Sequence, residues 1–182
     1  MKQLKSKLIS GQIFSPEQVK AINKEIKKNI IQKEASFSPA AGASTEKKGD
    51  FFHVPCNPLM GLLHPWLYQC QIANRDSFGY DIYWDFHIEV LNYNVYGIGG
   101  EYSWHIDANT ETMYDMKLTC MLNLSEEPYE WGEFEANGID EKIKFDSGDG
   151  LVLNSLVAHR VTPVTKGERI TLTYWGYGPA WR

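Results

Sequence analysis

Two metal-binding side chains stand two positions apart in Tyr102-Ser103-Trp104-His105-Ile106-Asp107. Alternate side chains of a β-strand share a face, so on a strand His105 and Asp107 present an imidazole and a carboxylate to one point. Such a pair is two-thirds of a 2-His-1-carboxylate triad, the donor set that holds non-haem Fe(II) and leaves positions open for other molecules. A second imidazole must complete it. His159, in Leu156-Val157-Ala158-His159-Arg160-Val161-Thr162-Pro163, is the histidine C-terminal to the pair, and it follows the apolar run 150–154 beside a Gly-Asp-Gly turn. That is a suitable place for a ligand at a strand end. His53 and His64 have no neighbours in sequence that would complete a site, and both are expected to be packing residues, His64 partly buried.

Ten residues beyond His159, the run Gly167-Glu168-Arg169-Ile170-Thr171-Leu172-Thr173-Tyr174-Trp175 reads as a strand with Arg169, Thr171 and Thr173 on one face. A guanidinium offers a bidentate charged fork and a neighbouring hydroxyl adds a further hydrogen bond, which together make a carboxylate receptor. A dicarboxylate held there at one end could chelate a metal with the other. 2-Oxoglutarate has that shape.

These residues need a scaffold, and 182 residues suffice for one domain that buries about 70% of its extended-chain surface. Ser15-Pro16-Glu17-Gln18 opens a helix whose Val19, Ile22, Ile26 and Ile30 share a face, with Lys20, Lys24, Lys27 and Lys28 left to solvent. The segment 34–50 is rich in Ser, Ala, Gly, Lys and Glu without apolar periodicity and reads as a loop. A second helix is expected over 57–74, interrupted or started at Pro65. From Tyr80 the chain changes to short β-branched and aromatic runs, with strands expected at 82–86, 88–96, 102–107, 117–124, 133–136, 142–145, 151–154, 158–161 and 170–176. Helices followed by many short strands predict an α+β, mainly β chain: a double-sheet jelly roll backed by N-terminal helices.

Net charge −5 disfavours phosphate-backbone binding, and three cysteines, Cys56, Cys70 and Cys120, have neither disulfide-framework nor zinc spacing. No apolar run approaches the ~18 residues of a membrane span, and the first ten residues hold no signal-like core, so a cytoplasmic protein without membrane contact is expected.

Several stretches resemble the 2-oxoglutarate and Fe(II)-dependent dioxygenases, in particular their prolyl 4-hydroxylase-like group. Tyr96-x-x-Gly99-x-x-Tyr102-x-x-His105-x-Asp107 is similar to that group's strand-to-metal signature, and Gly148-Asp149-Gly150-Leu151-Val152-Leu153 followed by His159-Arg160-Val161-Thr162-Pro163-Val164-Thr165-x-Gly167-x-Arg169 to its most recognisable run. Lys117-Leu118-Thr119 and Trp131-Gly132-Glu133-Phe134 resemble central strands, with Trp131 where the family has the first glycine of Gly-Gly-Glu. The likeness covers about 88–175. It implies a double-stranded β-helix core at about 79–178 over a helical support at about 1–78, as one dioxygenase domain. It also implies His105, Asp107 and His159 as iron ligands and Arg169 as partner of the distal carboxylate of 2-oxoglutarate. Tyr96, Thr119 and Thr171 would contact that cosubstrate, and Tyr102 would lie near the substrate channel. Fe(II), 2-oxoglutarate and O2 would be the cofactors, with ascorbate as a reductant. Asp107 in place of a glycine or alanine favours hydroxylation over halogenation. The expected reaction hydroxylates a C–H bond, of a prolyl or other residue in a peptide or protein, with release of succinate and CO2. A free amino acid, a small metabolite or alkylated nucleic acid are alternative substrates, and a non-catalytic metal-containing jelly-roll binding module is an alternative of another class. Trp84, Trp104 and Trp175 would join Tyr102 at a substrate entrance, with 108–114 as a lid.

Overall fold

The computed structural model describes residues 9–33, 47–84, 90–108 and 114–181. The expected loop falls mostly at 34–46 and the expected lid mostly at 109–113, outside the described residues.

After strand β1 (Ile9–Gln12), helix α1 (Pro16–Lys28) starts as its sequence dictates. The Gln18 amide donates to the Ser15 hydroxyl, the Ser15 amide donates to the Gln18 side chain, and Pro16 occupies the first turn. Val19, Ile22 and Ile26 are buried, whereas Ile30 lies beyond the helix end and is exposed. Asn23 is buried on the apolar face and ties the helix to the sheet. Its Nδ2 donates to the Leu124 carbonyl at 2.8 Å, and its Oδ1 accepts from the Tyr93 hydroxyl at 3.0 Å. Asn23→Ala strands both partners and is expected to cost about 2–3 kcal/mol. Urea unfolding checks this as a lower midpoint at an unchanged slope.

The next elements are β2 (Gln32–Lys33), β3 (Lys47–Lys48) and β4 (Asp50–Pro55). Helix α2 (Met60–Ala73) follows a short 3-10 turn and continues through Pro65. Proline removes one backbone donor there, but Leu63, Trp66, Leu67, Cys70 and Ala73 all reach the core, and that packing outweighs the lost bond. His64 is exposed rather than partly buried and stacks on Tyr68.

The remaining strands are β5 (Val90–Tyr96), β6 (Glu101–His105), β7 (Tyr114–Asn123), β8 (Glu130–Trp131), β9 (Phe134–Ala136), β10 (Asp149–Asn154), β11 (His159–Val161), β12 (Val164–Lys166) and β13 (Arg169–Pro179). Their ladders are antiparallel. They form a large sheet in the order β1-β10-β7-β13-β5-β4-β2, a smaller one in the order β3-β6-β11-β9, and the pair β12-β8. The N-terminal third therefore contributes strands to both sheets as well as helical support. Residues 81–84 carry no strand, and 142–145 buries Phe145 without a strand paired to it among the described residues.

The alternation of β7 and β13 separates two cores. Leu118, Cys120, Leu122, Leu172 and Tyr174 face the helices, with Trp66 and Leu67 of α2 in the same cluster. Between the sheets, Phe51, Tyr96, Met121, Leu151 and Leu153 of the large sheet meet Phe134, Ala136 and Val161 of the small one. The polar residues of the inner faces are left to one end of this second core. Cys56, Cys70 and Cys120 are buried thiols that form no disulfide. Among the described residues no helix is long and apolar enough to cross a membrane.

Candidate metal centre

His105, Asp107 and His159 converge. One donor atom from each lies within 4.8 Å of the others, the one such cluster of metal-binding side chains among the described residues. Pairing of β11 with β6 sets His159 directly opposite His105, so two ladder partners 54 positions apart in sequence bring the imidazoles together. Asp107 lies two residues past His105, beyond the end of strand β6, and the Asp107 and Ala108 amides both donate to the Ser155 carbonyl at 3.1 Å. The alternation expected for the pair is kept: His105 and Asp107 both line the cavity, whereas Ile106 between them points outward and is exposed.

Each imidazole is oriented by its far nitrogen. His105 Nδ1 lies 2.8 Å from the Ser103 carbonyl and His159 Nδ1 lies 2.9 Å from the Val157 carbonyl. A carbonyl only accepts, so both Nδ1 atoms carry hydrogen and both Nε2 atoms face the carboxylate, at 3.4 and 3.5 Å. Burial opposes the Asp107 charge, but the His105 contact, the potential of both imidazoles and the Thr119 hydroxyl outweigh it and hold the carboxyl well below the ordinary carboxylate range. Burial pushes the His159 imidazole down, against the pull of Asp107. Neutral imidazole and ionised carboxylate are the forms that bind metal.

Arg169 puts a guanidinium on the wall of the same cavity. It is 1% exposed, and its Nε and Nη2 have no hydrogen-bond partner among the described residues. Its register partner is Tyr96, whose ring lies 5.4 Å from the guanidinium carbon. Thr171 and Thr173 follow on the same face, with Asn94 Nδ2 donating to the Thr173 hydroxyl at 3.1 Å and to that of Thr171 at 3.5 Å. The Tyr102 ring stacks on His105 at 3.5 Å between centroids.

Thr119 faces the cavity, but its hydroxyl donates to Asp107 Oδ2 at 2.6 Å, so its observed partner is the carboxylate of the triad. Trp175 Nε1 donates to the same oxygen at 3.1 Å. Trp84 stacks on Tyr174 on the helix-facing side, and Trp104 points outward, 47% exposed, beneath the Arg160 guanidinium. Of the aromatics expected at an entrance, Tyr102 and Trp175 alone line the cavity. Three residues escaped the sequence reading: Ser155, Asn94 and Lys47. Asn92-x-Asn94-x-Tyr96, a polar stripe at period two in an apolar strand, was a usable signal for Asn94. Lys47 carried none, because it stands in a stretch without periodicity; its Nζ sits 3.8 Å from the Phe51 ring centre and 5.3 Å from that of Tyr102.

The turn before β9 lets the chain pass close to Arg169. At Gly132, with φ 63°, a Cβ would meet Val164 at 2.8 Å and Arg169 at 3.1 Å, so glycine is required there. Trp131 shares that left-handed conformation, also at φ 63°, and is 62% exposed. Since a bulky residue is strained there and little packing would be lost, Trp131→Gly is expected to stabilise the protein by about 1 kcal/mol. A rise in melting temperature of about 2–4 °C would register it.

The family described as the 2OG-Fe(II) oxygenase superfamily matches residues 91–177, the span that carries the triad and Arg169. Residues 91–177 belong to that superfamily. A PKHD-type hydroxylase of Alteromonas mediterranea is 37% identical over 93 residues, covering 46% of this chain and 41% of the relative. The match thus spans about two-fifths of that relative's length. A prolyl-4-hydroxylase of Pseudomonas putida superposes with a TM-score of 0.68 at 17% identity, covering 98% of this chain and 95% of that one. A Trichoplax adhaerens prolyl hydroxylase, solved with a hypoxia inducible factor peptide fragment, gives 0.65 at 15% identity over 95% of this chain and 84% of that one. The fold is accordingly the double-stranded β-helix of these oxygenases. 2OG-Fe(II) oxygenases use Fe(II), 2-oxoglutarate and O2, and the residues present fit that set. Two imidazole nitrogens and one carboxylate suit a divalent iron with open positions, and the orphaned Arg169 donors suit a carboxylate. The cavity is narrow, about 40 Å³.

Proposed function

We propose that this protein is a 2-oxoglutarate-dependent hydroxylase of a prolyl or other residue in a peptide or protein. The observation that carries this reading is the convergence of the His105, Asp107 and His159 donors with a buried Arg169 guanidinium, its Nε and Nη2 without a partner among the described residues, on the wall of one cavity. His105 Nε2, His159 Nε2 and one Asp107 oxygen would hold the iron. Arg169 would hold the distal carboxylate of the cosubstrate, with Tyr96 and Thr171 beside it on the same wall. When bound, these groups supply an oxidation in which one atom of O2 enters a substrate C–H bond and the other joins the decarboxylated acid, giving succinate and CO2. The chain's part is to orient and to exclude water. The Nδ1 hydrogen bonds hold both imidazoles in the ligating tautomer, and Met121, Phe134 and Val161 form an apolar part of the cavity wall.

The peptide substrate is supported by the names of the relatives, a PKHD-type hydroxylase and prolyl hydroxylases, one of them seen with a peptide. The test incubates the protein with Fe(II), ascorbate, 2-oxoglutarate and a library of proline-containing peptides, reading succinate release and the gain of one oxygen by mass spectrometry. Succinate with an oxidised peptide supports the reading. Oxidation confined to free amino acids, metabolites or alkylated nucleic acid would overturn its substrate half, and metal-replete protein that makes no succinate with any of these would overturn the whole.

A further inference from the structure

Asp107 has two oxygens in unlike surroundings. Each faces one imidazole, Oδ1 His105 Nε2 at 3.4 Å and Oδ2 His159 Nε2 at 3.5 Å, but Oδ2 also accepts from the Thr119 hydroxyl at 2.6 Å and from the Trp175 indole at 3.1 Å. The two donors are neighbours by construction of the sheet: Trp175 of β13 pairs directly with Thr119 of β7, and both side chains point between the sheets. Two donors use both lone pairs of Oδ2 and hold the carboxylate plane from one side. Oδ1 is left as the oxygen with capacity for a metal.

We propose that Trp175 is a positioning residue of the metal centre. Acting with Thr119, its indole N–H keeps Asp107 a one-oxygen ligand, so that the carboxylate does not swing to chelate through both oxygens and occupy a position needed by cosubstrate or O2. This inference rests on the metal-centre reading above. It explains why tryptophan rather than another large ring stands at the strand position opposite Thr119: phenylalanine would fill the space but carries no donor. The aromatic that sequence reasoning assigned to a substrate entrance thereby acts on a ligand of the metal.

The test measures Co(II) and Mn(II) binding without 2-oxoglutarate for wild type, Trp175→Phe, Thr119→Val and the double variant, together with the visible absorption of the Co(II) forms. Trp175→Phe is expected to weaken metal binding by about tenfold or more. The Co(II) spectrum should change in band position and intensity, because the carboxylate geometry changes. The double variant should lose less than the product of the single losses, since either deletion frees the same oxygen. A merely structural tryptophan would leave the Co(II) spectrum unmoved. Should Trp175→Phe fail to fold, the wild type still decides. With 15N-labelled indoles, Zn(II) must shift the N–H signal that Mn(II) broadens first, since Trp175 is the indole that lines the metal cavity. Wild-type affinity and spectrum in Trp175→Phe, or no Zn(II) shift of that signal, would sink this inference and leave the metal centre standing. Absence of metal binding in the wild type would sink both.

Discussion

With Asp107 replaced by alanine, metal binding is expected to weaken by more than about 100-fold and 2-oxoglutarate turnover to be lost. Changes in groups that merely touch a ligand already cost 10–100-fold, and Asp107 is the sole anionic donor of the cluster. The measurement is metal content after dialysis together with succinate release at saturating Fe(II). Metal retention at wild-type level with continued turnover would remove Asp107 from the site. A second readout follows from its ionisation. The folded carboxyl sits below its unfolded value, so in metal-free protein its contribution to stability is present above about pH 4 and fades as pH falls further. Asp107→Ala should therefore flatten the acid limb of the metal-free stability profile while sparing none of the activity.

Arg169→Met is expected to raise the KM for 2-oxoglutarate by two to three orders of magnitude, with metal binding retained. A buried charge-assisted contact that loses one partner costs about 2–5 kcal/mol, which corresponds to roughly 30- to several-thousand-fold. The sign of a companion effect makes the assignment sharper. In the ligand-free protein the guanidinium is buried with Nε and Nη2 unpartnered, a cost that methionine removes. Arg169→Met should thus melt higher than wild type without ligand, yet gain nothing when 2-oxoglutarate is added. Wild type should gain about 2.7 kcal/mol at a hundred times its dissociation constant. Calorimetric scans with and without the acid distinguish this from a purely structural arginine, whose loss would lower both curves.

The legible parts of the chain are those whose signal is local. The capping box at Ser15 and Gln18, the apolar face of α1 and the alternation of β13 are each written within a few residues, and each formed where expected. Pro65 sits inside α2, where helix continuity is decided by what Trp66, Leu67 and Cys70 bury, which a local rule does not contain. The β-type pattern at 142–145 failed for a like reason, since a strand exists only if another strand lies beside it.

The site divides along the same line. Residue types and spacing singled out His105, Asp107, His159 and Arg169 as candidates, because imidazole, carboxylate and guanidinium have few substitutes for these tasks, and the four line one cavity. How the set is held was decided only by tertiary structure. The Ser155 carbonyl that takes the Asp107 and Ala108 amides, the pairing of Thr119 with Trp175 over one carboxylate oxygen, and Lys47 reaching in from the N-terminal third all depend on contacts between segments far apart in sequence. Register across a sheet sets which donors meet. A linear pattern carries each partner's chemistry but not the distance between them.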